Sequence, residues 1–179
     1  MITNVNLSTK EQLLLQDQKS HEEQCIIKYD SYASIASDAE LRTLFKNIAQ
    51  QERVHLQTVN QLLSGQIPSV TGQGGTNQQQ SGQQATGQQQ SGQQKTGMTM
   101  SQQESARVSG MPGFNITDKD MCIDMLNTEK YISGTYDTTI FECKNPQIRD
   151  VLNHIQKEEQ KHGESIFAYM QSKGMYTAQ

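Results

Sequence analysis

Glu22 is followed thirty residues later by Glu52, and His55 lies three residues beyond it. Glu129, Glu159 and His162 repeat that spacing 107 positions further along the chain. Carboxylates and imidazoles are donors for iron, manganese or zinc, and Glu-x-x-His sets one of each on the same helix face, a turn apart. A Glu on one helix and a Glu-x-x-His on the next, given twice, is the donor set of a two-metal carboxylate centre inside a four-helix bundle. With 11 Glu and 4 His in 179 residues, random placement gives only about a quarter of one Glu-x-x-His, so two in matched register argue against accident.

The elements that must position these residues can be read from caps and periodicity. Ser8-x-x-Glu11 forms a capping box for a first helix from Thr9 to about Ala36. Asp38 caps a second helix that runs to Ser64 and stops at Gly65, with Pro68 just beyond. Thr117 caps a third, with Asp118 and Asp120 in its first turn, where the helix dipole favours negative charge. Asn145 caps a fourth, with Pro146 at its first position and Gly174 at its end. The shift of 107 also superimposes Asp17 on Asp124, Tyr29 on Tyr136, Asp30 on Asp137, Arg42 on Arg149 and Ile48 on Ile155. The chain reads as a helical hairpin given twice, residues 9–65 and 116–174, which together complete one bundle.

Between the hairpins, residues 66–115 carry a ten-residue Gln/Gly/Ser/Thr repeat with no apolar periodicity, read as a disordered linker. A flexible chain of that length reaches roughly 35–42 Å, and a helix of about 26 residues spans about 39 Å. The linker can therefore return the chain along the whole bundle, the long crossover of a ferritin-like fold. The expected fold is all-α: a ferritin-like four-helix bundle of two duplicated hairpins.

Each helix shows a seam at alternating three and four spacing. The seams run Leu15, Gln18, Glu22, Cys25, Tyr29, Tyr32, Ala36; Leu41, Phe45, Ile48, Glu52, His55, Val59, Leu62; Cys122, Met125, Glu129, Ile132, Tyr136, Ile140, Cys143; and Ile148, Leu152, Ile155, Glu159, His162, Ile166, Tyr169. With turns near Ser37 and Lys144, Glu22 meets Glu52 across one hairpin and Glu129 meets Glu159 across the other. Four carboxylates cannot all stay ionised in an apolar core without something to offset them. Two divalent cations would do so, bridged by Glu52 and Glu159, with His55 and His162 binding one each and Glu22 and Glu129 closing the ends. Iron or manganese is expected, and zinc also fits the donors. Three other readings stay open: protonated Glu hydrogen-bonded to His or Tyr in a polar cavity, an inherited site that no longer fills, or a register through Glu23 or Glu158. Tyr29 and Tyr136, two turns from the ligands, read as core packing with a hydroxyl contact to the site as the alternative. His21 and His154 fall off the seam.

Composition excludes several classes. A net charge of −4 and a pI near 5.5, with no basic stripe, give no case for nucleic acid. No run of 18 apolar residues is present, so no membrane span is expected. Met1 to Lys10 lacks the regions of a secretory signal, so synthesis is expected in the cytosol. Cys25, Cys122 and Cys143 lack C-x-x-C spacing and read as small buried hydrophobes, with a cross-link between chains through Cys143 as the alternative.

The C-terminal half resembles the Coat F family of bacterial spore coat proteins. The resemblance lies in Asp124-Met-Leu-Asn-Thr-Glu-Lys-Tyr, Asn145-Pro-Gln-Ile-Arg149, Glu158-Glu-Gln-Lys-His162 and the closing run Phe167-Ala-Tyr-Met-Gln-Ser-Lys-Gly-Met-Tyr176. It implies a ferritin-like fold, expression during sporulation in the mother cell and a place in the outer layers of the spore among other coat proteins. It supplies no catalytic residues. Three functions follow: a structural or accessory coat protein, whose Gln-rich linker and lysines such as Lys95 could be joined by isopeptide bonds; a di-iron or di-manganese enzyme acting on peroxide or oxygen, catalase- or ferroxidase-like; or metal storage in a homo-oligomeric cage. The first two are compatible.

Overall fold

The computed structural model describes residues 3–68 and 116–176, so the expected linker, apart from residues 66–68, and the lysine at 95 lie outside the described residues. Four helices make up almost all of the described chain: α1 (Thr9–Ile35), α2 (Ala39–Leu63), α3 (Asp118–Glu142) and α4 (Pro146–Ser172). Two short strands, β1 (Thr3–Asn4) and β2 (Gln66–Ile67), pair antiparallel at one end. The capping residues read from the sequence all act. Ser8 and Thr117 form capping boxes with Glu11 and Asp120, and Asp38 and Asn145 accept from the backbone of Glu40 and Gln147.

The repeat has a structural reason at each turn. Arg42 Nη1 donates to the carbonyls of Ala36 and Ser37 at 2.7 and 2.8 Å. Arg149, its counterpart, donates to those of Cys143 and Lys144 at 2.8 and 3.0 Å. Each arginine thus satisfies carbonyls left without partners where the preceding helix ends. A second repeated contact locks one hairpin to the other. Glu11 accepts from the backbone N–H of Lys144 at 2.8 Å, and Asp118, 107 positions on, accepts from Ser37 N, Ser37 Oγ and Asp38 N at 2.7 to 2.9 Å. The first turn of α1 therefore sits on the α3–α4 turn, and the first turn of α3 on the α1–α2 turn. The chain leaves α2 at one end of the bundle and enters α3 at the other, as a long crossover requires.

The core has apolar layers on either side of a polar middle. At the end of the α1–α2 turn, Ala33, Leu41, Phe45, Met121, Cys122, Met125 and Ile166 are buried; at the opposite end, Leu15, Val59, Leu62, Ile148 and Leu152 are. The seams of α2, α3 and α4 are buried at every position read from the sequence. On α1 the seam departs once: Ala33 is buried, while Tyr32 is half-buried and sends its hydroxyl to Asp124 at 2.7 Å. The reason is polarity, since the ring packs on Phe45 while the hydroxyl stays at the rim with a charged partner. Gln18 is buried but satisfied, donating to Thr139 Oγ1 at 2.8 Å and accepting from Thr135 Oγ1 at 3.1 Å. All three cysteines are free and buried. Burial and the nearby Glu11 push the Cys143 thiol up to about 11, which favours the neutral thiol expected of a small buried hydrophobe.

Candidate metal centre

Glu22, Glu52, His55, Glu129, Glu159 and His162 are all buried and converge at mid-height, one residue from α1, one from α3 and two each from α2 and α4. They form two overlapping groups: Glu22, Glu52, His55 and Glu159 offer donor atoms within 4.8 Å of one another, and so do Glu52, Glu129, Glu159 and His162. Glu52 and Glu159 belong to both. His55 Nδ1 lies 3.2 Å from Glu52, 2.8 Å from Glu159 and 3.8 Å from Glu22. His162 Nδ1 lies 3.0 Å from Glu52, 3.7 Å from Glu159 and 3.8 Å from Glu129. The two imidazole rings stack at 5.5 Å between centroids. Each histidine therefore turns Nδ1 toward three carboxylates from three helices.

The surroundings hold these groups from outside. Tyr29 donates its hydroxyl to Glu129 and Tyr136 donates to Glu22, each from one hairpin to the other. The two tyrosines are fully buried, so the packing expected of them is present and the hydroxyl contact is present with it. Glu23, the alternative register on α1, is exposed and faces Lys19 at 3.8 Å. Glu158, the alternative on α4, stands on the outer side and contacts His55 Nε2 at 2.8 Å. That role was not read from the sequence. The available signal was that a ligating imidazole needs an acceptor for its other nitrogen. His21 and His154 stay off the cluster, His21 edge-on to Tyr131 and His154 beside Glu158 at 3.5 Å.

Burial and the neighbouring carboxylates Glu159 and Glu52 raise the carboxyls of Glu22 and Glu129 well above the usual range. For Glu52 and Glu159 burial pushes the same way, but the close approach and charge of His162 and His55 outweigh it and hold both below the usual range. The histidines respond in kind. Burial alone would lower them, yet Glu158, Glu159 and Glu52 raise His55 well above its ordinary value, and Glu159 and Glu52 raise His162 to about 9. Cys25, one turn beyond Glu22, stays a neutral thiol, pushed far up by burial and the surrounding carboxylates. Without metal, protons are thus drawn toward the end carboxyls of Glu22 and Glu129 and toward the two imidazoles, and away from Glu52 and Glu159.

Protons alone leave the cluster poorly satisfied. Seven buried atoms lack a hydrogen-bond partner among the described residues: Glu22 Oε2, Glu52 Oε1, Glu129 Oε2, both Glu159 oxygens and both His162 nitrogens. Several of these atoms approach each other closely, as His162 Nδ1 and Glu52 Oε1 do at 3.0 Å, but out of line for a hydrogen bond. A buried polar atom left unpaired costs about 1–3 kcal/mol, so the five carboxylate oxygens and His162 Nδ1 around one cavity call for a common partner. Oxygen and imidazole donors without a thiolate fit iron, manganese or zinc and disfavour soft ions. A groove of about 620 Å³ between α3 and α4, lined by Leu126, Phe167 and Tyr176 and passing over Gly163, touches Glu129 and Glu159 from the surface.

Four helices with inward carboxylates and a long crossover define a ferritin-like bundle. A solved two-domain protein from Anabaena variabilis, containing DJ-1/ThiJ/PfpI-like and ferritin-like domains, shares the fold with a TM-score of 0.60. At 14% identity, over 96% of this chain and 40% of that one, the likeness is one of fold alone. Residues 117–179, the second hairpin and the residues after it, match the family model of the Coat F domain. No curated protein sequence matches the chain.

Proposed function

We propose that this chain is a spore coat protein whose ferritin-like bundle holds two divalent metal ions, iron or manganese, in the outer layers of the spore. The Coat F domain supports the location, with synthesis in the mother cell and other coat proteins as neighbours. No described helix is long and apolar enough to cross a membrane. The single observation that carries the metal reading is the convergence of six unpartnered buried donor atoms, five carboxylate oxygens and His162 Nδ1, on one cavity that both histidines face with Nδ1.

In this reading Glu52 and Glu159 are shared between the ions, Glu22 and His55 complete one half, and Glu129 and His162 complete the other. The ions would supply Lewis acidity and, if iron or manganese, one-electron chemistry. The protein's part is to fix the donors. Tyr29 and Tyr136 orient the end carboxylates, Glu158 fixes the His55 ring, and the apolar layers above and below keep bulk water out. The groove to Glu129 and Glu159 favours a second, compatible reading, an enzyme acting on peroxide or oxygen.

Metal content per chain, measured by elemental mass spectrometry after expression with iron and manganese supplied, tests the proposal. About two ions per chain are expected, lost in the Glu52→Ala/Glu159→Ala double variant. No bound metal in either protein would leave the carboxylate pattern purely architectural. Antibody detection in coat extracts of spores tests the location, and absence from the coat fraction would refute it.

A further inference from the structure

The duplication is broken at two positions that border the cluster. The residue after His162 is Gly163, whereas the residue after His55 is Leu56, a half-buried side chain. The residue before Glu159 is Glu158, whereas the residue before Glu52 is Gln51. Both breaks act in the same direction. Gly163 leaves the groove over Glu129 and Glu159 open where the other hairpin carries a leucine. Glu158 holds His55 Nε2 at 2.8 Å, whereas His162 Nε2 is buried and has no partner among the described residues. An imidazole backed by a carboxylate has a fixed ring and a more basic ligating nitrogen, and losing such a partner costs about 10- to 100-fold in metal affinity.

We propose that the two halves of the centre differ: the Glu129–His162 half is the open one, which exchanges its ion and admits small ligands through the groove between α3 and α4, and the Glu22–His55 half is closed and retains its ion. The inference rests on the two-metal reading above and adds a direction to it. Ligands of peroxide or azide size reach the centre from the Gly163 side, past Phe167 and Tyr176, whose rings meet edge to face at 4.9 Å beside the groove.

Release of cobalt(II) from the loaded full-length chain into excess chelator, followed by visible absorption, tests this. Two phases of equal amplitude are expected, one ion in each. Gly163→Leu should slow the fast phase several-fold and leave the slow phase unchanged. Glu158→Gln should speed the slow phase by about 10- to 100-fold. Circular dichroism checks the fold of each variant. Gly163→Ala guards against misfolding of the leucine variant, since its Cβ would meet Leu126 Cδ1 at 3.6 Å and Glu129 Cβ at 3.8 Å, ordinary contacts; it should slow the fast phase less. Both ions leaving in one phase, or a fast phase indifferent to residue 163, overturns the inference and leaves the two-metal reading standing. No bound cobalt at all overturns the two-metal reading and the inference with it.

Discussion

Burial and the neighbouring carboxylates raise Glu22 and Glu129, whereas Glu52 and Glu159 each have a histidine nitrogen within about 3 Å that holds them down. Metal ligation requires all of these donors in their basic forms. Loading the centre near neutral pH should therefore release protons from this raised set, Glu22, Glu129, His55 and His162. Because the folded-state value of His162 is raised to about 9, metal affinity should climb as pH rises toward that value and fall steadily as pH drops below it. Proton uptake or release during metal titration, followed in weakly buffered solution with an indicator dye, checks this. A titration that releases no protons would mean the metal-free cavity is already fully ionised. The candidate ligands were legible in the sequence because identity and spacing are local. The partition of protons among them was not, since it depends on which histidine nitrogen faces which carboxylate.

Caps and turns decide where each helix begins and ends, and they were readable because a cap acts within three or four residues of chain. Gly65 shows what local reading misses. It ends α2 with φ of +77°, as a C′ glycine does, but it also accepts the N–H of Val5 at 2.8 Å beside the β1–β2 pair. A Cβ there would stand 2.8 Å from the Val5 carbonyl oxygen, backbone that cannot swing aside. Gly65→Ala should cost at least the roughly 1–2 kcal/mol of a left-handed residue, with the N-terminal strand displaced in addition. Urea unfolding gives the magnitude, and amide exchange at Val5 reports the local change. An unchanged midpoint would mean that the strand pair contributes nothing to the fold. Two-residue strands have no sequence signature, and β1–β2 was found only in the structure.

Neither hairpin can satisfy its own buried charges. Tyr136 reaches Glu22, Tyr29 reaches Glu129, Gln18 reaches Thr139, and Lys28 reaches Asp124 at 2.7 Å, all across the hairpin boundary. The carboxylate of Glu11 and that of Asp118 each close a turn of the opposite hairpin. Folding should therefore be cooperative across the bundle. Residues 1–68 and 116–179, expressed separately, should each lack a sharp thermal transition, and mixing them with metal should restore helicity by circular dichroism. A hairpin that melts sharply alone would show that the shared cluster is not needed for folding.

The helices, their caps, the duplicated seams and the six candidate donor residues were legible in the sequence alone, because each depends on spacing within a turn or on the identity of a single residue. Docking decided the rest. It placed Glu158 behind His55 and, among the described residues, nothing equivalent behind His162, gave the tyrosine hydroxyls to carboxylates of the opposite hairpin, and ran the groove past Gly163 where the repeat has Leu56. Contacts between residues some 100 positions apart exist only once the two hairpins pack. A repeat visible along the chain therefore does not reveal that its two copies meet different neighbours in space.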